Sequence, residues 1–131
     1  MSDPSMIETP LMRGLERVLD QAAFRHQVLA TNLANIDTPG YRTRDARTFA
    51  GEIVRAMAGD GPEGASGESA FMSPVAYEIR GLSERPDGNN VSVERESLLL
   101  AQNQLRFEVA VAFLKSEFHR LSNAINGGPT S

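Results

Sequence analysis

The side chains that most often do chemistry are few in this chain, and their spacing supports no catalytic or metal site. It has two histidines, His26 and His119, and no cysteine. The lack of cysteine excludes disulfides, thiolate zinc sites and a cysteine nucleophile. No histidine or carboxylate lies four residues from either histidine, and the segment 87–90 lacks the further oxygen ligands of a calcium loop. We therefore expect no enzyme activity, cofactor, metal or small-molecule substrate.

Composition indicates one small acidic domain spanning residues 1–131. The net charge of −4 and the pI near 5.2 argue against a nucleic-acid partner, because phosphate binding needs a clustered basic surface. No run of residues is long and apolar enough for a membrane span. The N-terminus lacks the basic stretch and apolar core of a cleaved signal peptide, so export would have to use another route.

The first long helix is predicted over residues 10–35. Thr9 is a good N-cap, and Pro10 suits the first helical position. From there, mostly apolar residues recur at a spacing of three and four, as in a heptad seam. The predicted seam is Met12, Leu15, Leu19, Ala22, His26, Leu29, Leu33 and Ile36.

A second, longer helix is predicted over residues 92–126, with Glu94 and Glu96 in its first turn, where carboxylates complement the helix dipole. Its predicted seam is Val93, Ser97, Leu100, Gln104, Phe107, Val111, Leu114, Phe118, Leu121 and Ile125. A second stripe widens the apolar surface and consists of Leu98, Ala101, Leu105 and Ala112. The polar seam positions are either solvated or set the register, and solvation is the favoured interpretation. The first helix is about ten residues shorter, so it cannot cover this face alone.

Residues 36–91 form a middle segment of another kind. Residues 58–70 are rich in glycine and have no large apolar side chain, which predicts a flexible loop. Val75, Tyr77 and Ile79 alternate with polar or small residues, which predicts a short strand that pairs with residues 43–49 and lies on a helix. The expected fold is mainly α: two long terminal helices form an antiparallel coiled-coil-like hairpin around a small irregular or β middle segment.

A turn follows the first helix at residues 35–41. Pro39 presets φ at the first central position, and Gly40 can supply the positive φ that a type II turn needs at the second. Pro39 also disfavours helix at Thr38, so the helix must end before it. Tyr41 is expected to pack back on the helix end or to reach a neighbour. The site residues assigned to this signature turn are Asn35, Thr38, Pro39, Gly40 and Tyr41.

Two blocks of sequence resemble those of a known family. Residues 32–42, NLANIDTPGYR, resemble the N-terminal signature of bacterial flagellar rod, hook and hook-associated proteins. The segments 87–91, 94–96 and 101–107 make the chain most similar to the flagellar basal-body rod proteins, at the proximal rod. The resemblance covers residues 8–50 and 84–126. It implies a structural, self-assembling subunit of the periplasmic rod, exported by the flagellar type III system without a cleaved signal peptide.

The resemblance also implies the partners. These are copies of the chain, other rod subunits, and the membrane-ring and export-gate junction proteins of the basal body. The residues expected at the assembly interface are Leu15, Leu19, Leu29, Leu33, Leu100, Phe107, Val111, Leu114, Phe118 and Leu121. The free subunit is expected to have mobile ends that become ordered on assembly. The alternative hypothesis is a helical-hairpin adaptor or export chaperone that binds a partner helix.

Overall fold

Two long helices dominate the protein. A computed structural model describes residues 9–48, 50–51 and 74–127. In chain order its elements are helix α1 (Pro10–Ala34), strand β1 (Arg44–Ala46), strand β2 (Ala76–Glu78) and helix α2 (Val93–Ile125). This confirms the predicted fold class. The predicted glycine-rich loop at 58–70 lies outside the described residues.

Helix α1 begins directly after its predicted cap residue, and helix α2 begins one residue after its predicted start, which serves as its cap. The Thr9 hydroxyl accepts a hydrogen bond from the Met12 amide at 3.1 Å, and Pro10 follows at the first helical position. The Ser92 hydroxyl accepts one from the Arg95 amide at 3.3 Å. Each cap satisfies a donor that the first turn of a helix leaves free. Helix α1 ends one residue earlier than predicted, and α2 is one residue shorter at each end, because the residues at those positions act as caps.

The helices pack against each other in antiparallel orientation. Asn32, near the end of α1, bonds Glu96 in the first turn of α2. In the middle, the Asn103 amide donates to the carbonyl of Ala22, and Thr9 lies opposite Glu117. Since α2 has 33 residues and is about 50 Å long, its residues after 117 extend past the first residue of α1.

The two strands form an antiparallel ribbon that lies on α1. Arg44 pairs with Glu78, and Ala46 pairs with Ala76. The predicted pairing of segment 75–79 with segment 43–49 is therefore confirmed, although the regular strand is shorter. The ribbon is anchored by Asp45, whose carboxylate accepts two hydrogen bonds from Arg25 of α1. A two-stranded ribbon is marginal alone, so this support on a helix is what makes it stable.

The face by which α2 packs on α1 is not the predicted apolar seam. The buried residues of α2 are Glu96, Asn103, Ala110 and Glu117, each seven positions after the last. The predicted seam positions Val93, Ser97, Gln104, Phe118 and Ile125 are exposed instead, and Leu100, Phe107, Val111, Leu114 and Leu121 are half-buried. The helices approach along small and polar residues whose hydrogen bonds are satisfied, which leaves the larger apolar side chains on either side.

The buried face of α1 follows the same rule. Ala22 and Leu29 belong to the predicted seam and are buried, but Arg25 and Asn32 are buried with them. His26, placed in the seam by the sequence pattern, is exposed. The largest fully buried side chains include one leucine, Leu29, among polar residues such as Glu96 and Asn32. The interior is therefore organised by polar contacts, which need directional partners when they leave water.

Candidate assembly surface and the clasp that positions it

The described part of the chain holds nothing that points to chemistry on a substrate. Within residues 9–48, 50–51 and 74–127, no group of three or more histidine, aspartate or glutamate side chains could hold a metal ion. In the same residues, neither helix is long and apolar enough to cross a membrane. The most distinctive features of the described residues are their exposed apolar surfaces and the contacts that hold those surfaces in place.

The signature turn has the conformation that its sequence predicts. Gly40 has φ +73°, and the Tyr41 amide donates to the carbonyl of Thr38 at 3.2 Å, which closes a four-residue turn with Pro39 and Gly40 at its centre. The Thr38 hydroxyl also donates to the side-chain oxygen of Asn35 at 3.0 Å. The predicted positive φ at Gly40 is thus confirmed, and glycine adopts it without the penalty of a side chain.

Tyr41 packs back on the end of α1, which is the first of the two positions predicted for it from the sequence. Its hydroxyl donates to the side-chain oxygen of Asn32 at 3.0 Å. Burial raises the pKa of Tyr41 above its ordinary value, because the phenolate would lose its hydration. The turn is thereby tied to the helix that precedes it, and the chain enters β1 in a fixed direction.

Asn89 locks the turn to the segment that precedes α2. Its side chain is fully buried, and its amide nitrogen lies 2.9, 3.0 and 2.9 Å from the carbonyl oxygens of Asn35, Ile36 and Thr38. Its side-chain oxygen accepts from the Val91 amide at 2.8 Å. The carbonyls beyond the end of a helix have no intrahelical donor. Asn89 supplies one, so a side chain 54 positions along the chain helps to cap α1.

Further hydrogen bonds, each with at least one main-chain group, join the same two segments. The Gly40 amide donates to the carbonyl of Asp87 at 2.9 Å, and the Thr43 amide donates to the side-chain oxygen of Asn90 at 2.7 Å. The Arg42 guanidinium reaches the carbonyl of Gly88 at 3.2 Å. We call residues 32–45 and 84–96 the clasp. The two blocks of sequence that carried the family resemblance thus meet in one folded unit.

A buried carboxylate completes the clasp. Glu96 is 0% exposed, and its oxygens accept from Asn32 at 2.9 Å and from Arg95 at 2.8 Å. The same Asn32 amide donates to the carbonyl of Arg44 at 2.6 Å. A buried carboxylate is tolerated only when it is paired and hydrogen-bonded. These contacts therefore fix how the start of α2 meets the end of α1.

A second buried ion pair fixes the ribbon. The Arg25 guanidinium donates to both carboxylate oxygens of Asp45, at 2.8 and 3.0 Å, and both side chains are less than one-tenth exposed. The hydrogen bond that Arg25 donates to Asp45 raises the pKa of Arg25 further above its already high value. Asp45 also accepts from the Ala46 amide. This bidentate geometry gives direction as well as attraction.

Sequence reasoning missed the residues that hold the hairpin together. Asn89 and Asn103 were not assigned a structural role, and Glu96 was assigned only to the dipole of its own helix. A signal was present: Glu96, Asn103, Ala110 and Glu117 repeat every seven positions, which places them on one helical face whatever their polarity.

On one side of this buried line, α2 has an exposed apolar flank. Leu98, Leu105, Val109 and Phe113 are 58%, 62%, 46% and 62% exposed. With Leu15 and Val18 of α1, the last three line an open groove of about 560 Å³ between the helices. The second stripe predicted from sequence, which includes Leu98 and Leu105, therefore does lie at the surface. We call this side of the hairpin the groove flank.

The predicted interface residues of α2 lie on the opposite side, which we call the seam flank. Leu100, Phe107, Val111, Leu114 and Leu121 are half-buried, whereas Phe118 is 63% exposed. The predicted interface residues of α1 are placed differently: Leu29 is buried in the hairpin, and Leu15, Leu19 and Leu33 are half-buried. The structure thus brings most of the predicted residues to the edges of the helix–helix contact.

The fold and its surfaces define a structural protein: a helical hairpin with two apolar flanks, held closed by a polar clasp. No model of a known protein family matches the chain. It is, however, 31% identical to the flagellar basal body rod protein FlgB of Salmonella typhimurium strain LT2, across 89% of the chain and 94% of that protein. It is 32% identical to the FlgB protein of Cereibacter sphaeroides, across 79% of the chain and 84% of that protein. It is 28% identical to the FlgB protein of Bacillus subtilis strain 168, across 89% of the chain and 94% of that protein.

The chain belongs to the FlgB family of flagellar basal body rod proteins. This confirms the resemblance drawn from residues 32–42 and from the segments of the second block. A member of this family is a structural rod protein and not an enzyme.

Proposed function

We propose that this chain builds the proximal rod of the flagellar basal body by packing its terminal helices against copies of itself and against other rod subunits. The observation that carries the proposal is the exposure of large apolar side chains along α2, such as Leu105, Phe113 and Phe118. Large apolar side chains left exposed along both flanks of one helix mark an interaction site. Its position along one long helix suits a tubular assembly, in which each subunit has neighbours on both sides.

Burial of these flanks supplies the driving force for assembly. Removing apolar surface from water contributes about 25 cal/mol per Å², and ordering of the helix ends opposes it. The residues of α2 after 117 extend past the start of α1 and have the least support inside the hairpin. We therefore expect the last two turns of α2, residues 118–125, to be less ordered in the free subunit than between neighbours in the rod.

The location of the assembly follows from the same proposal. The chain would act in the periplasm, reach it through the flagellar type III system without a cleaved signal peptide, and sit near the membrane-ring and export-gate junction proteins. The rod location is supported by the relatives, which are flagellar basal body rod proteins. Cross-links from the chain to export-gate proteins in purified basal bodies would support its place at the junction.

The alternative of a helical-hairpin adaptor or export chaperone is not favoured. An adaptor would also expose an apolar flank, so the surface alone does not separate the two functions. The relatives do separate them, because each of those described above is a basal body rod protein.

The test is to place a charge on the most exposed residue of the predicted interface. Phe118→Asp should leave the subunit folded, since Phe118 is already 63% exposed, but it should abolish incorporation into purified hook-basal bodies and motility. His119→Asp is the matched control, because it introduces the same charge one position along the same helix, at another exposed residue. Normal incorporation of Phe118→Asp would show that this flank does not assemble.

A further inference from the structure

The two flanks of α2 carry opposite charges at nearly the same level of the helix. Residues two positions apart are about 200° apart around an α-helix and differ by about 3 Å along it. Arg106 and Glu108 have this relation: Arg106 lines the groove flank, and Glu108 lies on the other side of α2. Val109 and Val111 are a similar pair, with Val109 in the groove and Val111 among the seam-flank residues.

Among the described residues, the cation on the groove flank has no counter-charge of its own. Within the described residues Arg106 makes no hydrogen bond or ion pair, and it lies at an otherwise largely apolar groove lined by Leu105, Val109 and Phe113. Glu108 is exposed and accepts a hydrogen bond from the neutral amide of Gln104 at 3.3 Å. Each flank therefore offers apolar surface together with a charge that the other flank can neutralise.

We propose, as a refinement that rests on the rod function above, that copies of this chain pack side by side, the groove flank of one against the seam flank of the next. In this contact Phe113 and Val109 of one copy face Val111 and its neighbours on the adjacent copy, and Arg106 faces Glu108. The contact joins two different surfaces, so it leaves one flank of each kind free. Such heterologous contacts close into rings or continue as helical filaments, whereas a contact between identical flanks stops at a dimer.

Charge complementarity is the reason to assign the groove flank to a second copy. When copies are related by rotation about an axis parallel to α2, with little shift along it, residues at one level of the helix meet residues at the same level. The 3 Å offset of Arg106 and Glu108 is within the reach of these long side chains. A pairing of two groove flanks would instead bring one Arg106 toward another, and like charges in contact are strongly unfavourable.

Cysteine cross-linking tests the contact directly, because the chain has no cysteine of its own. Two single variants, Val109→Cys and Val111→Cys, are produced with tags of different size, expressed together in cells that lack the native gene, and oxidised in purified basal bodies. A disulfide needs α-carbons within about 7 Å. We expect a mixed dimer from the co-expressed pair, and no dimer when either variant is expressed alone. His119→Cys paired with Val109→Cys is the control and should not cross-link.

Charge reversal provides a second measurement on the same contact. Arg106→Glu and Glu108→Arg, each added to both cysteine variants, should lower the yield of the mixed dimer by about tenfold or more, because each places like charges at the contact. The double variant Arg106→Glu/Glu108→Arg should restore the yield, since opposite charges face each other again. If the double variant lost cross-linking as the two single charge variants do, a direct pairing of Arg106 with Glu108 would be contradicted.

The remaining outcomes separate this contact from the rod function itself. Disulfides from Val109→Cys alone, or normal basal bodies with no mixed dimer, would overturn the proposed contact while leaving the subunit in the rod. The proposed contact is also overturned if the cysteine of Val109→Cys does not react with a maleimide in the dilute monomer, because the groove would then be covered by the chain itself. Absence of the unmodified chain from purified basal bodies would overturn the rod function as well.

Discussion

The clasp and the distal arms of the hairpin (residues 9–21 and 105–125) are built on different physical principles. In the clasp, buried polar side chains such as Asn89 and Glu96 have named partners at hydrogen-bonding distance. In the arms, large apolar side chains such as Leu11 and Phe113 are more than half exposed. Hydrogen bonds are directional and set a geometry, whereas apolar burial is non-directional and supplies adhesion. The comparison teaches that one end determines the shape of the subunit and the other provides surface for its neighbours.

The arms are not without polar contacts, but these lie at the edge of the hairpin. Glu117 accepts from Arg120 at 2.6 and 3.1 Å, and it lies 3.5 Å from the Thr9 hydroxyl. The hydrogen bond from Arg120 lowers the pKa of Glu117. Arg120 itself is largely exposed, so solvent screens this pair and it adds little stability.

The largest effect is expected from Asp45→Ala in the clasp. The change leaves Arg25 buried without its counter-charge and removes the acceptor of the Ala46 amide, which should cost about 3–5 kcal/mol in the free energy of unfolding. Urea denaturation followed by circular dichroism measures it. Glu78→Ala is the control: it breaks the exposed pair with Arg42 and should cost about 1 kcal/mol or less. Equal losses in the two variants would remove the distinction between buried and exposed polar contacts.

Asn89→Ala should follow, with a loss of about 2–4 kcal/mol. It leaves the Val91 amide without its acceptor, at a cost of about 1–3 kcal/mol. It also removes one of two donors from each carbonyl of Asn35, Ile36 and Thr38, and such a lost hydrogen bond costs about 1 kcal/mol. Asn123→Ala is the matched control at an exposed position of α2 and should be neutral within about 0.5 kcal/mol. A stable Asn89→Ala variant would mean that the other hydrogen bonds of the clasp hold it without Asn89.

Gly40→Val should destabilise the subunit by about 1–2 kcal/mol, which is the usual cost of a left-handed conformation for a residue with a side chain. Nothing lies within 4 Å of a β-carbon built there, so the cost arises from backbone strain and not from a clash. Thermal denaturation of the monomer measures it. An unchanged melting temperature would indicate that the turn relaxes to another conformation without penalty.

The smallest effect on the monomer is expected in the arms. Phe113→Ser should change the free energy of unfolding by no more than about 0.5 kcal/mol, because Phe113 is 62% exposed and the two residues have similar helix propensity. Leu29→Ala, fully buried on α1, should cost about 2–5 kcal/mol in the same urea experiment. If Phe113→Ser were as damaging, the groove flank would already be packed in the free subunit, and the contrast with the clasp would fail.

Local sequence signals predicted the elements well because each acts over a few residues. Thr9, Pro10 and Ser92 mark helix starts, Pro39 and Gly40 dictate a turn, and alternation in segment 75–79 indicates a strand. All of these were confirmed to within a few residues. The packing face of α2 was predicted wrongly, because the prediction equated burial with apolarity. Glu96 and Asn103 are buried since their partners, Asn32 and Ala22, lie 64 and 81 positions away.

The sequence by itself determined the two helices, the turn between them and the ribbon, and it carried enough of the family signature to indicate a flagellar rod protein. Only the tertiary structure decided which face of each helix turns inward. That choice depends on whether a polar side chain finds a partner when it leaves water. Asn89 finds three carbonyls beyond the end of α1, and Asp45 finds Arg25. With Asn89, Asp45 and Glu96 hydrogen-bonded inside, much of the large apolar surface of α2 remains outside, where another subunit can cover it.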